Sequence, residues 1–112
     1  MAVAKDVRDV WTIKQSNGPE VHFTINQQDH DGTFASPDNT AKYSDDHGTI
    51  DDARATLDEI SFRVNWSQGP KGRYVGRFDF QGRLTGFSFD ETNPASQATW
   101  VCTSKTFGNF EP

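Results

Sequence analysis

From Ile60 to Asp90 the chain reads ISFRVNWSQGPKGRYVGRFDFQGRLTGFSFD, and this stretch constrains the fold most. Phe62, Val64 and Trp66 alternate with Ser61, Arg63 and Asn65. A repeat of two places the large apolar groups on one face of a β-strand. Gln68-Gly69-Pro70-Lys71-Gly72 interrupts the run, Tyr74 to Phe80 resumes it, and Gln81-Gly82 separates off Leu84 to Asp90. Three short strands joined by glycine turns describe an antiparallel meander.

The rest of the chain carries the same punctuation. Residues 2–9 read as one or two helical turns or an N-terminal arm, too short for a helix that stands alone. Val10 to Gln15 is a first strand with Trp11 and Ile13 on one face, and Ser16-Asn17-Gly18-Pro19 is its turn. Val21 to Asn26 follows with Val21, Phe23 and Ile25 pointing inward. Asp29-His30-Asp31-Gly32 is a turn into a short strand at Thr33 to Ser36. Residues 37–48 (PDNTAKYSDDHG) have the composition of a surface loop. Thr49 to Leu57 suits a helix start or a strand, and its flanking strands favour strand. Glu91 to Gln97 is expected as a loop and Ala98 to Ser104 as the closing strand, with Trp100 and Cys102 on one face.

Residues 11–19 (WTIKQSNGP) also echo residues 62–70 (FRVNWSQGP), and beyond them Phe23 matches Tyr74 and Gly32 matches Gly82. Two similar meanders give about eight short strands. The expected fold is therefore all-β: a single domain, 1–112, whose antiparallel up-and-down meander closes into a small barrel and so leaves no open edge.

Composition limits what such a barrel can do. Apolar residues make up 33% of the chain, and there are nine Phe, three Trp and two Tyr against only two Leu. Rings must supply much of the core, since each buries roughly 150–250 Å². The net charge is −5, with Lys and Arg scattered singly, so nucleic acid and anionic membranes have no electrostatic footprint to read. No apolar run approaches the length of a membrane helix, and residues 1–6 lack the apolar stretch of a secretory leader. Cys102 is the single cysteine and has no partner within the chain. A cytoplasmic location is expected on these grounds, with the chain a monomer or a small homo-oligomer.

Trp11, the Gly32-Thr33-Phe34 entry, Phe62-Arg63-Val64-Asn65-Trp66, Tyr74-Val75-Gly76 and the terminal Trp100 to Phe107 region together resemble the avidin type of small barrel. More broadly they resemble the calycins, which include the lipocalins. The resemblance implies an eight-stranded meander barrel that binds a small molecule at one open end. It does not extend to biotin, because the early Asn and Ser groups that grip the ureido ring and the late Trp-Lys pair have no counterparts. The lipocalin Gly-x-Trp entry is missing too, as Asp9-Val10 precede Trp11.

Candidate chemistry is sparse. Asp29-His30-Asp31 and Asp45-Asp46-His47 gather metal-ligating types, but in no metal-motif spacing, and they read as solvated turns. Cys102, mid-strand beside Trp100, reads as a small buried hydrophobe rather than a nucleophile. Arg63, Arg73, Arg77, Asp79 and Arg83 fall on outer faces as exposed pairs. No cofactor is expected.

What remains is an aromatic and amide wall. Trp11, Trp66, Tyr74 and Trp100 would line a site, with Gln15, Asn65 and Asp90 as its polar groups. The expected function is non-catalytic binding of a small organic ligand or a sugar at a barrel mouth. The alternatives are a carbohydrate-binding module, a small barrel enzyme with Asp90 or a His as proton shuttle, and an interaction domain such as a protease inhibitor. Trp66 and Tyr74 flank the Gly69-Pro70 turn and mark the favoured end. Asp90 and the 91–97 loop are expected at the opposite end.

Overall fold

The computed structural model describes residues 2–18, 20–35 and 38–111. Eight antiparallel strands follow one another around a closed barrel: β1 (Asp9–Gln15), β2 (Glu20–Ile25), β3 (Asn39–Tyr43), β4 (Asp46–Ala55), β5 (Glu59–Trp66), β6 (Lys71–Phe78), β7 (Leu84–Asp90) and β8 (Asn93–Cys102). The closing seam is short. Ile13, Lys14 and Gln15 pair with Cys102, Val101 and Trp100. Two serine hydroxyls extend it, Ser104 Oγ accepting from the Thr12 N–H and Ser16 Oγ from the Thr99 N–H.

Period-two alternation decides what fills the interior. Trp11, Ile13, Val21, Phe23, Ile25, Ile50, Phe62 and Val64 all point inward and are buried. The echo between residues 11–34 and 62–84 has a structural meaning, because β1 and β5, like β2 and β6, lie four strands apart and face each other. Trp11 meets Phe62 edge-on with ring centroids 6.3 Å apart, and Phe23 meets Tyr74 at 5.6 Å. Phe62 stacks on Tyr74 at 5.3 Å. Gly18 and Gly69, and likewise Gly32 and Gly82, take matching positive φ in the turns.

The two ends of the barrel differ. The 2–8 segment folds back across one end instead of forming a helical turn. Val7 donates its N–H to Gln28 Oε1, Gln28 Nε2 donates to the Lys5 carbonyl, and Trp11 Nε1 donates to the Val7 carbonyl at 3.0 Å. Ala4, Val7, Phe34, Phe107 and Phe110 are buried there and close that end. The opposite end, ringed by the β1–β2, β3–β4, β5–β6 and β7–β8 turns, is the mouth.

Departures from the sequence expectation sit where the apolar signal is thin. The 37–48 stretch is not a loop: it holds β3 and the start of β4. Only Ala41 and Asn39 of β3 are buried, so no hydrophobic alternation announces the strand. Asn39 stands in for backbone instead. Its Oδ1 accepts from the Asn26 and Gln27 N–H groups, and its Nδ2 donates to the Gln27 and Ala35 carbonyls. The expected strand at 33–36 reduces, in its described part, to one bridge between Thr33 and Arg54. Pro19, Ser36 and Pro37, which belong to the expected turn, strand and loop, lie outside the described residues.

The 49–57 segment is a strand as expected, though it stops at Ala55, where Thr56 Oγ1 accepts from the Asp58 and Glu59 N–H groups and turns the chain. The 91–97 loop is also corrected. β8 begins at Asn93, because Asp90 caps a tight turn by accepting from the Thr92 N–H and Oγ1–H. That turn puts Asp90 opposite Gly72, at the Trp66 end and not the far end.

Candidate functional site at the barrel mouth

The open end holds a cavity of about 150 Å³. Its walls include Trp66, Tyr74, Gln15, Ser88, Asp90 and Phe89. Gly72 shapes it. A Cβ at that position would lie 3.0 Å from Tyr74 Cε1, crowding that ring, and at ordinary contact distance, 3.5 Å, from Trp66 Nε1. Burial pushes the Tyr74 phenol up to about 12, and the Trp66 N–H, donating to its oxygen, pulls the other way. The phenol is therefore neutral across the physiological range and able to donate a hydrogen bond.

The polar side of the mouth comes from β1, β7 and β8. Ser88 Oγ donates to Gln15 Oε1 at 3.0 Å. This leaves the Gln15 amide nitrogen without a partner among the described residues, as a donor at the rim. Hydrogen bonds from Thr92 hold the Asp90 carboxyl below the usual carboxylate range, so at neutral pH it is an anion that accepts. Beneath this rim the barrel is filled by Phe23, Phe62 and Tyr74. The mouth is a shallow seat above a packed core.

The other sequence candidates lie elsewhere. Trp11 is fully buried at the closed end. Asn65 points out of the barrel and donates to Asp51. Cys102 is half-buried against the core, outside any disulfide, with its thiol 4.0 Å from Ser104 Oγ. Asp29 and Asp31 are engaged by Thr33, and no three metal-ligating side chains converge among the described residues.

Trp100 lies under the barrel wall beneath a second and larger concavity, about 730 Å³, on the outer face of β5–β6–β7–β8–β1. Gly76 and Gly86 face each other across β6 and β7. A Cβ on Gly86 would sit 2.0 Å from the Val75 carbonyl oxygen and 2.7 Å from Trp100 Cζ2, and one on Gly76 would sit 2.7 Å from Trp100 Cη2. The paired glycines thus leave room for the indole directly against the backbone of β6 and β7. The Trp100 N–H is buried without a hydrogen-bond partner among the described residues. Val75, Phe87 and Val101 give the concavity an apolar lining. Sequence reasoning passed over this face, although those three residues interrupt the polar outer positions of their strands.

The expected isolated outer ion pairs are partly corrected. Arg63 binds Asp51 through two bonds, at 2.7 and 2.9 Å, and reaches Glu91 at 3.4 Å. Arg73 binds Glu91 at 3.0 Å and Asp52 at 2.7 Å. Two arginines therefore tie β4, β5 and β6 to the β7–β8 turn. A bulge between Asp51 and Arg54, with Asp52 at φ 45°, turns both acids outward toward them.

No protein-family model matches the chain, and neither the curated proteins nor the solved structures give a match.

Proposed function

We propose that this chain is a non-catalytic binding barrel that seats one ring of a small organic molecule or sugar in its mouth. The observation that carries the reading is the convergence of Trp66 and Tyr74 on side-chain-free Gly72, with the Gln15 amide, Ser88 and ionised Asp90 around them. Ring faces supply apolar contact, the phenol and amide donate, and the carboxylate accepts from hydroxyl or N–H groups. A cavity of about 150 Å³ equals about five water volumes at roughly 30 Å³ each, so it takes a ring and leaves the rest of a ligand in solvent. It is below the usual drug-sized pocket of about 300–1,000 Å³, and affinities for isolated rings belong near the millimolar range. Calycin membership forms part of this proposal, supported by the sequential eight-stranded meander with one plugged and one open end.

Phe89 stacks on Phe87 at 6.3 Å on the outer side of β7, opposite the side that Ser88 and Asp90 face, so the apolar platform of the mouth is Trp66 and Tyr74. The test is tryptophan emission against a panel of monosaccharides and cyclic amides at up to about 10 mM, a ceiling set by the affinity expected for a ring-sized ligand. A saturable change that disappears in Trp66→Phe supports the mouth. A flat response across the panel, or a change that Trp66→Phe retains in full, overturns it.

A further inference from the structure

The outer concavity differs in kind from the mouth. At about 730 Å³ it falls within the usual size of a small-molecule pocket, about 300–1,000 Å³. Its apolar surface comes from Val75, Phe87 and Val101. Strand register sets them together: Val75 pairs with Phe87, and Val101 pairs with Thr85, two residues along β7 from Phe87. The patch therefore spans three adjacent strands, about 10 Å at roughly 4.8 Å per spacing. Phe87 and Val101 keep 46% and 45% of their surface exposed. Three side chains of this kind fall well short of the roughly 800 Å² that each partner contributes to a stable protein interface. A small molecule matches the patch better than a protein surface does.

Charge selects the polar end of that molecule. The charged lining residues are Lys14, Glu59 and Arg77, two bases against one acid, on a protein whose net charge is −5. Register aligns Glu59, Arg77, Thr85, Val101 and Lys14 from β5 to β1, with Glu20 next on β2. The two bases are the inner charges of this row, and the acids lie outside them. Neither Arg77 nor Lys14 forms an ion pair among the described residues.

Arg77 is the better placed of the two. It follows Val75 on the same outer side of β6, about 7 Å along the strand, and stands directly opposite Thr85. A carboxylate there accepts two bonds from the guanidinium fork and one from the Thr85 hydroxyl. The body attached to it then covers Val75, Phe87 and Val101. A cationic head in the same place would face both bases. The geometry points to a second binding site in this concavity, for an amphipathic anion: an apolar ring or short chain with a carboxylate held by Arg77 and Thr85. The site does not depend on the mouth, and Trp100, packed against Gly76 and Gly86 in its floor, reports on it.

The test titrates the full chain with naphthoate and octanoate up to about 1 mM, each beside its neutral alcohol, a range suited to weak small-ligand binding. The readout is the indole N–H resonance of Trp100, with that of Trp66 as the internal reference. At least one acid should move the Trp100 resonance saturably while Trp66 stays in place, and the preferred acid identifies the body as ring or chain. Its alcohol should bind about fivefold more weakly, because it loses the charge-assisted bonds. Arg77→Gln should weaken the acid by a similar factor and leave the alcohol unchanged. Glu59→Gln, which removes the nearest acid, should tighten the acid alone, and Phe87→Ser should weaken both compounds. No response to either acid, an alcohol that binds as tightly as its acid, or acid binding indifferent to Arg77→Gln or to Phe87→Ser would overturn the proposal. So would a response confined to Trp66. The substituted positions are all exposed, and circular dichroism verifies that each variant keeps the barrel.

Discussion

Tyr74 joins core to mouth, and its hydroxyl reports on both. Its ring stacks on Phe62 in the barrel interior, while its oxygen meets the Trp66 N–H at the rim. Burial raises its pKa from 10.0 to about 12. The unfolded chain therefore loses this proton at lower pH than the folded one. The contribution to stability is complete below pH 10 and is lost as pH rises from about 10 through about 12. At about 1.4 kcal/mol per pKa unit, wild type should lose about 1 kcal/mol more than Tyr74→Phe between pH 8 and pH 11. Urea midpoints for the two proteins at those pH values check this, and equal losses would place the phenol in solvent. The inward direction of Tyr74 was legible from alternation with Val75 and Arg77. Its pairing with Trp66 was legible only as a shared barrel end, because hairpin order says which ends meet but not which atoms touch.

Elements show more plainly where the sequence was silent. β2 and β5 announced themselves, since Val21, Phe23 and Ile25, and Phe62 and Val64, alternate cleanly with polar residues. β3 did not, because its anchor is polar. Asn39 satisfies four backbone groups of the 26–38 connection, and no periodicity scale scores that. Asn39→Ala should therefore destabilise the protein by about 2–4 kcal/mol, more than the loss of one ordinary surface amide, because buried N–H and C=O groups would be left unpaired. Chemical denaturation measures it, and a loss below about 0.5 kcal/mol, the range of ordinary surface substitutions, would mean the connection does not depend on that side chain. The start of β8 was missed for a related reason. Residues 93–97 are all exposed, so pairing with β7 and the Asp90–Thr92 turn define the strand there rather than burial.

For the whole molecule, closure and strand count followed from the spacing of turns, and the echo between halves became ring contacts across the barrel. What spacing could not convey was how full the interior is. Rings placed on inward faces fit a hollow barrel as well as a filled one. The structure has them filling the centre, with the N- and C-terminal segments plugging one end. The candidate site thus shrinks from a wall of three tryptophans to Trp66 alone, with Trp11 in the plugged end and Trp100 beneath the outer wall. That division gives the central claim its sharpest test. The three indole N–H groups sit in three different environments, so their proton–nitrogen resonances, assigned by single Trp→Phe variants, report separately on the closed end, the mouth and the outer wall. Titration with the monosaccharides and cyclic amides should move the Trp66 resonance in a saturable way, while those of Trp11 and Trp100 stay in place. Movement of the Trp100 resonance with Trp66 unchanged, or no movement of any of the three across the panel, would contradict binding at the mouth.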